Sequence, residues 1–503
     1  MWFTVGRVGG IKMIKNGTMM QYFEWDLPND GKHWQRLKED APHLKEIGIT
    51  SVWIPPCFKA VGQGDVGYGI YDLYDLGEFD QKGTVRTKYG TKEELLEAID
   101  ALHEQGIHVY ADVVLNHKGG ADGTETFEAT PVSQENRHEA IDETREIEGW
   151  TYFNFPGREK KHSDFEWHWY HFTGVSEDVK TGEEGIFRIE GEGKGWAPDE
   201  NISTEFGNFD YLMFADVDYN HPEVIEETKK WIKWFINETK IDGIRLDAVK
   251  HIDSAFMKDW IEEIREEFGE DFFFVAEYWH QQYEELEDYL EDQDYSISMM
   301  DVRFHYALHE ASQQGEDFDL RRLLDGTLYK SNAEQAVTFV ENHDSQPGQS
   351  LESYVEPWFK PLAYGFILLS YYGYPCVFYS DYYGYSSDDV DYDGCRDIID
   401  QLLYARQEYA YGEQNNYLDY GSCIGFTRMG DDEHPEGCAV IVSNGEEGFK
   451  EMYVGELHAD HVYIDLLGNR DEEITIEENG CATFPVNAGS ISVWVRKETE
   501  ETD

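Results

Sequence analysis

The chain has 503 residues, 103 of them acidic against 41 basic, for a formal net charge of -62. That balance excludes the basic surface a phosphate backbone requires and disfavours anionic membranes, while 40% apolar and 15% aromatic residues exclude a disordered chain and supply a large core. The length suits two or three domains, no run approaches the roughly 20 apolar residues of a membrane span, and cysteines 57, 376, 395, 423, 438 and 481 have neither zinc-site nor disulfide-framework spacing.

Residues 1–17 carry charges and glycines but no apolar run long enough for a secretory leader, so a cytoplasmic location is expected, with Met13 as an alternative start. A first strand is predicted at 18–23. Helix 33–47 follows, with Trp34, Leu37, Ala41, Leu44 and Ile47 at helical spacing, and then a strand at 49–54. Helix 91–105 opens on a Thr-x-x-Glu capping box (Thr91, Glu94) and stops at Gly106, before a strand at 108–115. The stretch 116–218, rich in aromatic and turn residues, is far too long for a loop and predicts an inserted β-containing domain. The alternation then resumes. Strands at 243–247, 272–277, 296–302, 336–340 and 376–379 are interleaved with helices at 222–239, 255–268, 282–290, 321–329, 358–372 and 396–409.

Eight strands alternating with eight helices predict the α/β class and a (β/α)8 TIM barrel. After Tyr411 only strands remain, at 425–428, 438–443, 461–465, 473–476 and 491–496, which predict a small C-terminal antiparallel β-sandwich and a frayed polar tail at 498–503. The expected division is therefore a barrel of 13–115 and 219–411, an inserted domain of 116–218, and a sandwich of 412–498.

TIM-barrel active sites lie at the C-terminal ends of the strands, and ionisable residues collect there. The fourth strand reads Gly-Ile-Arg-Leu-Asp (243–247), which puts Arg245 and Asp247 on one face; the fifth runs into Glu277. The seventh runs into Glu-Asn-His-Asp (341–344), and the third, through Asp112, into Leu-Asn-His (115–117). Taken singly, such acids are more often caps or ion-pair partners, but grouping them is costly unless function requires it. Glycoside hydrolysis needs one protonated and one ionised acid. Arg245 should keep Asp247 anionic, and crowding by carboxylates should raise the proton affinity of Glu277.

Asp112–His117 (DVVLNH), Gly243–His251 (GIRLDAVKH), Val275–Trp279 (VAEYW) and Glu341–Asp344 (ENHD) resemble, in order, the four signature regions of the α-amylase family of glycoside hydrolases. Gly17–Trp25, Asp65–Phe79, Tyr211–Tyr219 and Gln346–Ser353 resemble its liquefying-type bacterial members in particular. The resemblance implies Asp247 as nucleophile, Glu277 as general acid/base and Asp344 as transition-state stabiliser. It implies that His117 and His343 bind the sugar at the cleavage point, that Tyr68 stacks on it, that Arg245 holds the nucleophile ionised, and that Lys250 and His251 line the next subsite. Of the aromatic residues Trp25, Tyr71, Trp279 and Trp358, only Trp279 is expected to join Tyr68 as a sugar platform; the others are expected in the core.

The resemblance further implies a Ca2+ held by Asn116, Asp210, Asp216 and the carbonyl of His251, where hard oxygen ligands suit that ion. Asp199 and Asp218 match ligands of a second metal cluster. There the chain departs from the pattern, because Thr173 stands where another Asp is expected. The expected substrate is an α-1,4-glucan and the expected state a monomer. Rival readings are a maltooligosaccharide-forming amylase, an α-glucan transglycosylase, or a catalytically dead glycan-binding subunit; all three acids stand, which disfavours the last. The dispersed acidity fits a surface adapted to salt, with binding of cations or a basic partner as the alternative.

Overall fold

The structure, a computed structural model, describes residues 16–387 and 391–497; Met13 and the tail at 498–503 lie outside them. Eight parallel strands close into a barrel: β1 (Met19–Gln21), β2 (Ser51–Ile54), β3 (His108–Val113), β4 (Gly243–Leu246), β5 (Phe273–Ala276), β6 (Ser298–Met300), β7 (Ala336–Phe339) and β8 (Tyr374–Phe378). They pair in sequence order except that β3 meets β4 directly across the insertion, and β8 returns to β1. Nearly every strand residue is buried, as expected where one face fills the barrel and the other meets helices.

Side-chain size sets the local packing. Gly243 lies in register with Tyr110 on β3 and Phe273 on β5, whose rings stack 4.6 Å apart across it. A Cβ at Gly243 would stand 2.6 Å from the Phe273 carbonyl oxygen and 2.8 Å from the Tyr110 ring, so only glycine lets the three strands close there.

The outer helices are α1 (His33–Glu46), α2 (Lys92–Glu104), α3 (Pro222–Thr239), α4 (Ser254–Phe268), α5 (Tyr283–Asp292), α6 (Val302–Gln314), α7 (Lys360–Leu369) and α8 (Arg396–Glu408). The capping box of α2 forms: the Glu94 carboxylate accepts from Thr91 N at 2.8 Å, and the Thr91 hydroxyl accepts from Glu94 N. One expectation fails. The predicted helix at 321–329 is only a 3-10 turn, Leu320–Arg322, and a four-residue helix, Leu328–Ser331. The crossover helix is α6, which starts where the predicted strand 296–302 was carried too far. Asp301 caps it by accepting from Phe304 N at 3.2 Å, and that ends β6 after three residues.

The stretch after β3 builds a six-stranded sheet with neighbours in the order His117–Lys118, Ala215–Val217, Phe172–Asp178, Glu183–Ile189, Gly123–Val132 and Arg145–Tyr152. Beyond α8 lie a six-stranded antiparallel sheet and the hairpin-like pair Gly448–Tyr453 with Cys481–Val486. Those two strands and Gln414–Tyr420 were not expected. Their alternation misleads: Phe449, Tyr453 and Tyr420 point outward while Lys450 is buried, so the apolar residues do not mark the inner face.

Candidate active site

β4 delivers Arg245 to the centre of the barrel mouth, where the guanidinium is fully buried. Nη1 donates to Asp247 Oδ1 at 2.6 Å and to both oxygens of Asp112, at 3.0 and 3.2 Å; Nη2 lies 3.5 Å from Glu277 Oε2. Asp112 is held from behind by Trp53 Nε1 at 3.0 Å and the Tyr68 hydroxyl at 2.9 Å. Glu277 follows β5 and accepts from Ala248 N at 2.7 Å. Asp344 sits past β7, its side chain 22% exposed against 9% for Glu277 and 11% for Asp247, so all three present an edge to the cleft.

One guanidinium cannot balance four acids, and burial makes the imbalance count. Burial pushes Glu277 up to about 8, with Asp247 and Asp344 adding to the rise and Arg245 opposing it. Burial likewise raises Asp344 to about 7 and Asp112 to about 6. The expected rise at Glu277 is present, but desolvation leads it, ahead of the crowding that strand alternation suggested.

A wall of parallel rings stands beside these acids. Tyr68 stacks on His343 at 5.0 Å and on Trp25 at 6.0 Å. His343 Nδ1 meets Gln21 Nε2 at 3.0 Å, and its buried Nε2, 3.3 Å from Asp344 Oδ2 without hydrogen-bond alignment, has no partner. His117 is tied down instead, with Nε2 on the Tyr68 carbonyl at 2.8 Å, which leaves Nδ1 as its other polar edge. Lys250 reaches Glu205 at 2.6 Å and the Trp279 carbonyl at 3.0 Å, and the His251 ring binds the Phe209 carbonyl at 2.7 Å.

Trp279 and Trp25 have different surroundings. Trp279 lies against His305, Tyr306 and Phe339, with its indole N–H on the Tyr306 hydroxyl at 3.1 Å. Trp25, expected in the core, joins the wall. Sequence reasoning also passed over a groove of about 390 Å³ that starts at Lys118 beside His117 and is walled by the exposed rings of Trp150 and Phe214. Their only sequence signal is large aromatic residues in a polar, irregular stretch.

The residues expected around calcium fit a hard cation. Asp210 and Asp216 are buried carboxylates whose proton affinity desolvation raises, Asp210 to about 7 with Asp218 and Asp253 adding to the rise, and Asp216 with Asp210 adding to it. Their recorded partners are neutral: Asn116 Nδ2 donates to Asp216 at 3.1 Å, Thr173 donates its hydroxyl to the same carboxylate, and Ala197 N donates to Asp210 at 3.1 Å. Two buried anions without a cationic side chain beside them, set among oxygen-bearing groups, are what Ca2+ binds. Asp199 and Asp218, expected in a second metal cluster, have other partners. Asp199 is 57% exposed, 3.2 Å from His138 Nε2 and bound by Asn208, and Asp218 is paired with Lys194.

Among the described residues, His171, His221 and Glu223 bring ligand atoms within 4.8 Å of one another. His168 N donates to His171 Nδ1 at 3.0 Å, however, which places that ring's proton on Nε2, 3.1 Å from Glu223. A ligating histidine needs the opposite arrangement, with its free nitrogen donating outward. This trio is a hydrogen-bonded clasp between the inserted sheet and α3.

Two acids on one guanidinium, one of them holding its proton to neutral pH beside a wall of rings, suit the cleavage of a glycosidic bond. With the strand exits of a (β/α)8 barrel carrying them, this is a glycoside hydrolase. The family model for the alpha amylase catalytic domain matches residues 28–408. An alpha-amylase of Geobacillus stearothermophilus is 50% identical over 96% of this chain and 88% of its own. A glucan 1,4-alpha-maltohexaosidase of a Bacillus species is 51% identical over 96% and 93%. A cytoplasmic alpha-amylase of Escherichia coli is 44% identical over 96% and 100%. The chain belongs to the alpha-amylase family.

Proposed function

We propose that this chain is an α-amylase that cuts internal α-1,4-glucosidic bonds of starch, glycogen and maltodextrins with retention of configuration. The observation that carries the reading is the hold of Arg245 on both Asp247 and Glu277, with Glu277 raised to about 8. Protonated Glu277 donates to the glycosidic oxygen as the leaving chain departs, while Asp247 bonds to the anomeric carbon; Asp344 faces the positive charge that develops there. Glu277, now ionised, then takes a proton from water, whose oxygen displaces Asp247. Two inversions return the α-anomer. Tyr68 stacks on the ring being cleaved, His117 and His343 bind its hydroxyls, and Lys250 and His251 flank the next sugar.

Ca2+ on Asn116, Asp210, Asp216 and the His251 carbonyl would supply positive charge that ties the inserted sheet to the barrel. The three sheet systems support the division into 13–115 with 219–411, 116–218 and 412–498. We also assign this chain a cytoplasmic location, supported by the name of the Escherichia coli relative, and a monomeric state with neither nucleic acid nor membrane as partner, for which the acidic charge is the support. The deciding experiment reads the anomer of fresh products from soluble starch by NMR. α-Products with rapid internal cutting support the roles together, β-products break the retaining mechanism, and no release from folded protein favours a binding subunit.

A second reading, a maltooligosaccharide-forming amylase, is supported by the maltohexaosidase relative and by the Trp150–Phe214 groove. If the groove holds a distant sugar, Trp150→Ala shifts the product lengths while leaving cleavage of short substrates intact.

A further inference from the structure

Lys194 lies in the loop Glu-Gly-Glu-Gly-Lys-Gly-Trp (190–196), where Gly191, Gly193 and Gly195 hold φ at +151°, +74° and +151°. Side chains rarely adopt that backbone, and here it folds a lysine inward, its side chain only 5% exposed. Nζ stands 2.5 Å from Asp218 Oδ2, itself 4% exposed, and 3.2 Å from the Phe172 carbonyl oxygen. Asp218 in turn adds to the charge felt by Asp210, so the three carboxylates Asp210, Asp216 and Asp218 share one electrostatic neighbourhood. A buried ammonium on a carboxylate and a backbone carbonyl meets the same ligand types as a bound metal ion. Lys194 thus answers the charge of Asp218 directly, whereas Asp253, which also acts on Asp210, is held by neutral donors, Asn201 Nδ2 at 3.1 Å and Phe256 N at 2.9 Å.

We propose that Lys194 Nζ is a resident cation that takes the place of a second metal ion, so that the chain holds one tightly bound divalent ion here and no more. The inference rests on the calcium reading of Asp210 and Asp216. The disposition of the other expected ligands agrees with it: Asp199 turns to His138, and Thr173 brings a neutral hydroxyl to Asp216.

The test counts calcium retained by desalted protein, since desalting strips ions held loosely by the acidic surface, and compares melting curves with and without added CaCl2. Protein stripped with chelator, reloaded and desalted should keep one calcium per chain. Lys194→Ala, which removes the ammonium and leaves room, should keep two and should need more calcium than the parent chain to reach its full Tm. Two retained ions in the parent chain overturn the inference while leaving the calcium reading intact, as does an alanine variant that keeps one ion whatever its Tm. No retained ion in the parent chain sinks the calcium reading itself. Should the alanine variant fail to fold, the count on the parent chain decides.

Discussion

As the proposed proton donor, Glu277 must stay protonated at neutral pH, and burial is the main cause that keeps it so. Its carboxyl is raised from the ordinary range to about 8, so it stays protonated at neutrality and ionises as the pH climbs through that value. Ionisation removes the proton donor, so kcat/KM should fall on the alkaline side with an apparent pKa near 8, measured on a soluble maltooligosaccharide. A limb well below 6 would contradict the assignment. Glu277→Gln keeps the shape and loses the proton. Activity should drop by about 10²- to 10⁴-fold, the usual worth of a positioned acid or base, while oligosaccharide binding by calorimetry persists. Unchanged turnover would remove Glu277 from the mechanism.

At the scale of single elements, the exit of β7 is fixed by charges that cannot reach water. Lys360, at the start of α7, places Nζ 2.5 Å from Asp381 and 3.1 Å from Glu341, and all three are buried. Tyr364 donates to Asp381 at 2.6 Å and Val355 N to Glu341 at 2.6 Å. Lys360→Met strands two carboxylates in the interior and should cost about 3–5 kcal/mol, the range for breaking a buried ion pair. The melting temperature should fall, and adding Glu341→Gln and Asp381→Asn should recover part of the loss. If the single variant melts with the parent chain, the network is not a structural tie.

Such ties also mark where the sequence stops being legible. Seven of the eight strand-following helices were readable because apolar residues recur at helical spacing or a cap announces them. α6 was not, because its inward face is interrupted by His305, a polar residue satisfied at both ring nitrogens by the Val340 carbonyl and the Ser353 hydroxyl, at 2.7 and 2.9 Å. At the site, residues carried by strands were legible because alternation fixes their direction. Trp25 was misplaced because it sits on a loop, where no periodicity says which way a ring faces. Lys194 carried no signal at all, since its role depends on Asp218 being folded against it from 24 residues away.

At the scale of the whole molecule, cations should stabilise the chain in two separable ways. The first is local. Asn116 follows β3, His251 follows β4, and Asp210 and Asp216 belong to the insertion, so one bound ion would join three chain segments. Chelation should lower Tm by withdrawing a ligand that binds only the folded state, worth about 2.7 kcal/mol at a hundredfold excess over Kd. Affinity for oligosaccharide should change less. An unchanged melting curve would sink the calcium assignment.

The second dependence is diffuse. A formal charge of -62 repels itself across the whole surface, on faces such as that of α4, where Asp259, Glu262, Glu263, Glu266 and Glu267 line a groove with Lys229 and Lys233 of α3. Monovalent salt should therefore stabilise the chain, but salting-out does so for any protein, so the shape of the response has to separate them. The Debye length falls from about 10 Å at 0.1 M to about 3 Å at 1 M. Relief of repulsion is steep at low salt and then saturates, whereas exclusion of salt from apolar surface keeps growing with concentration. With calcium held constant, Tm in KCl should rise steeply below about 0.3 M and flatten by about 1 M. A straight line through that range would mean that the acidity does not limit stability, and would leave a basic partner as the reading of the negative surface.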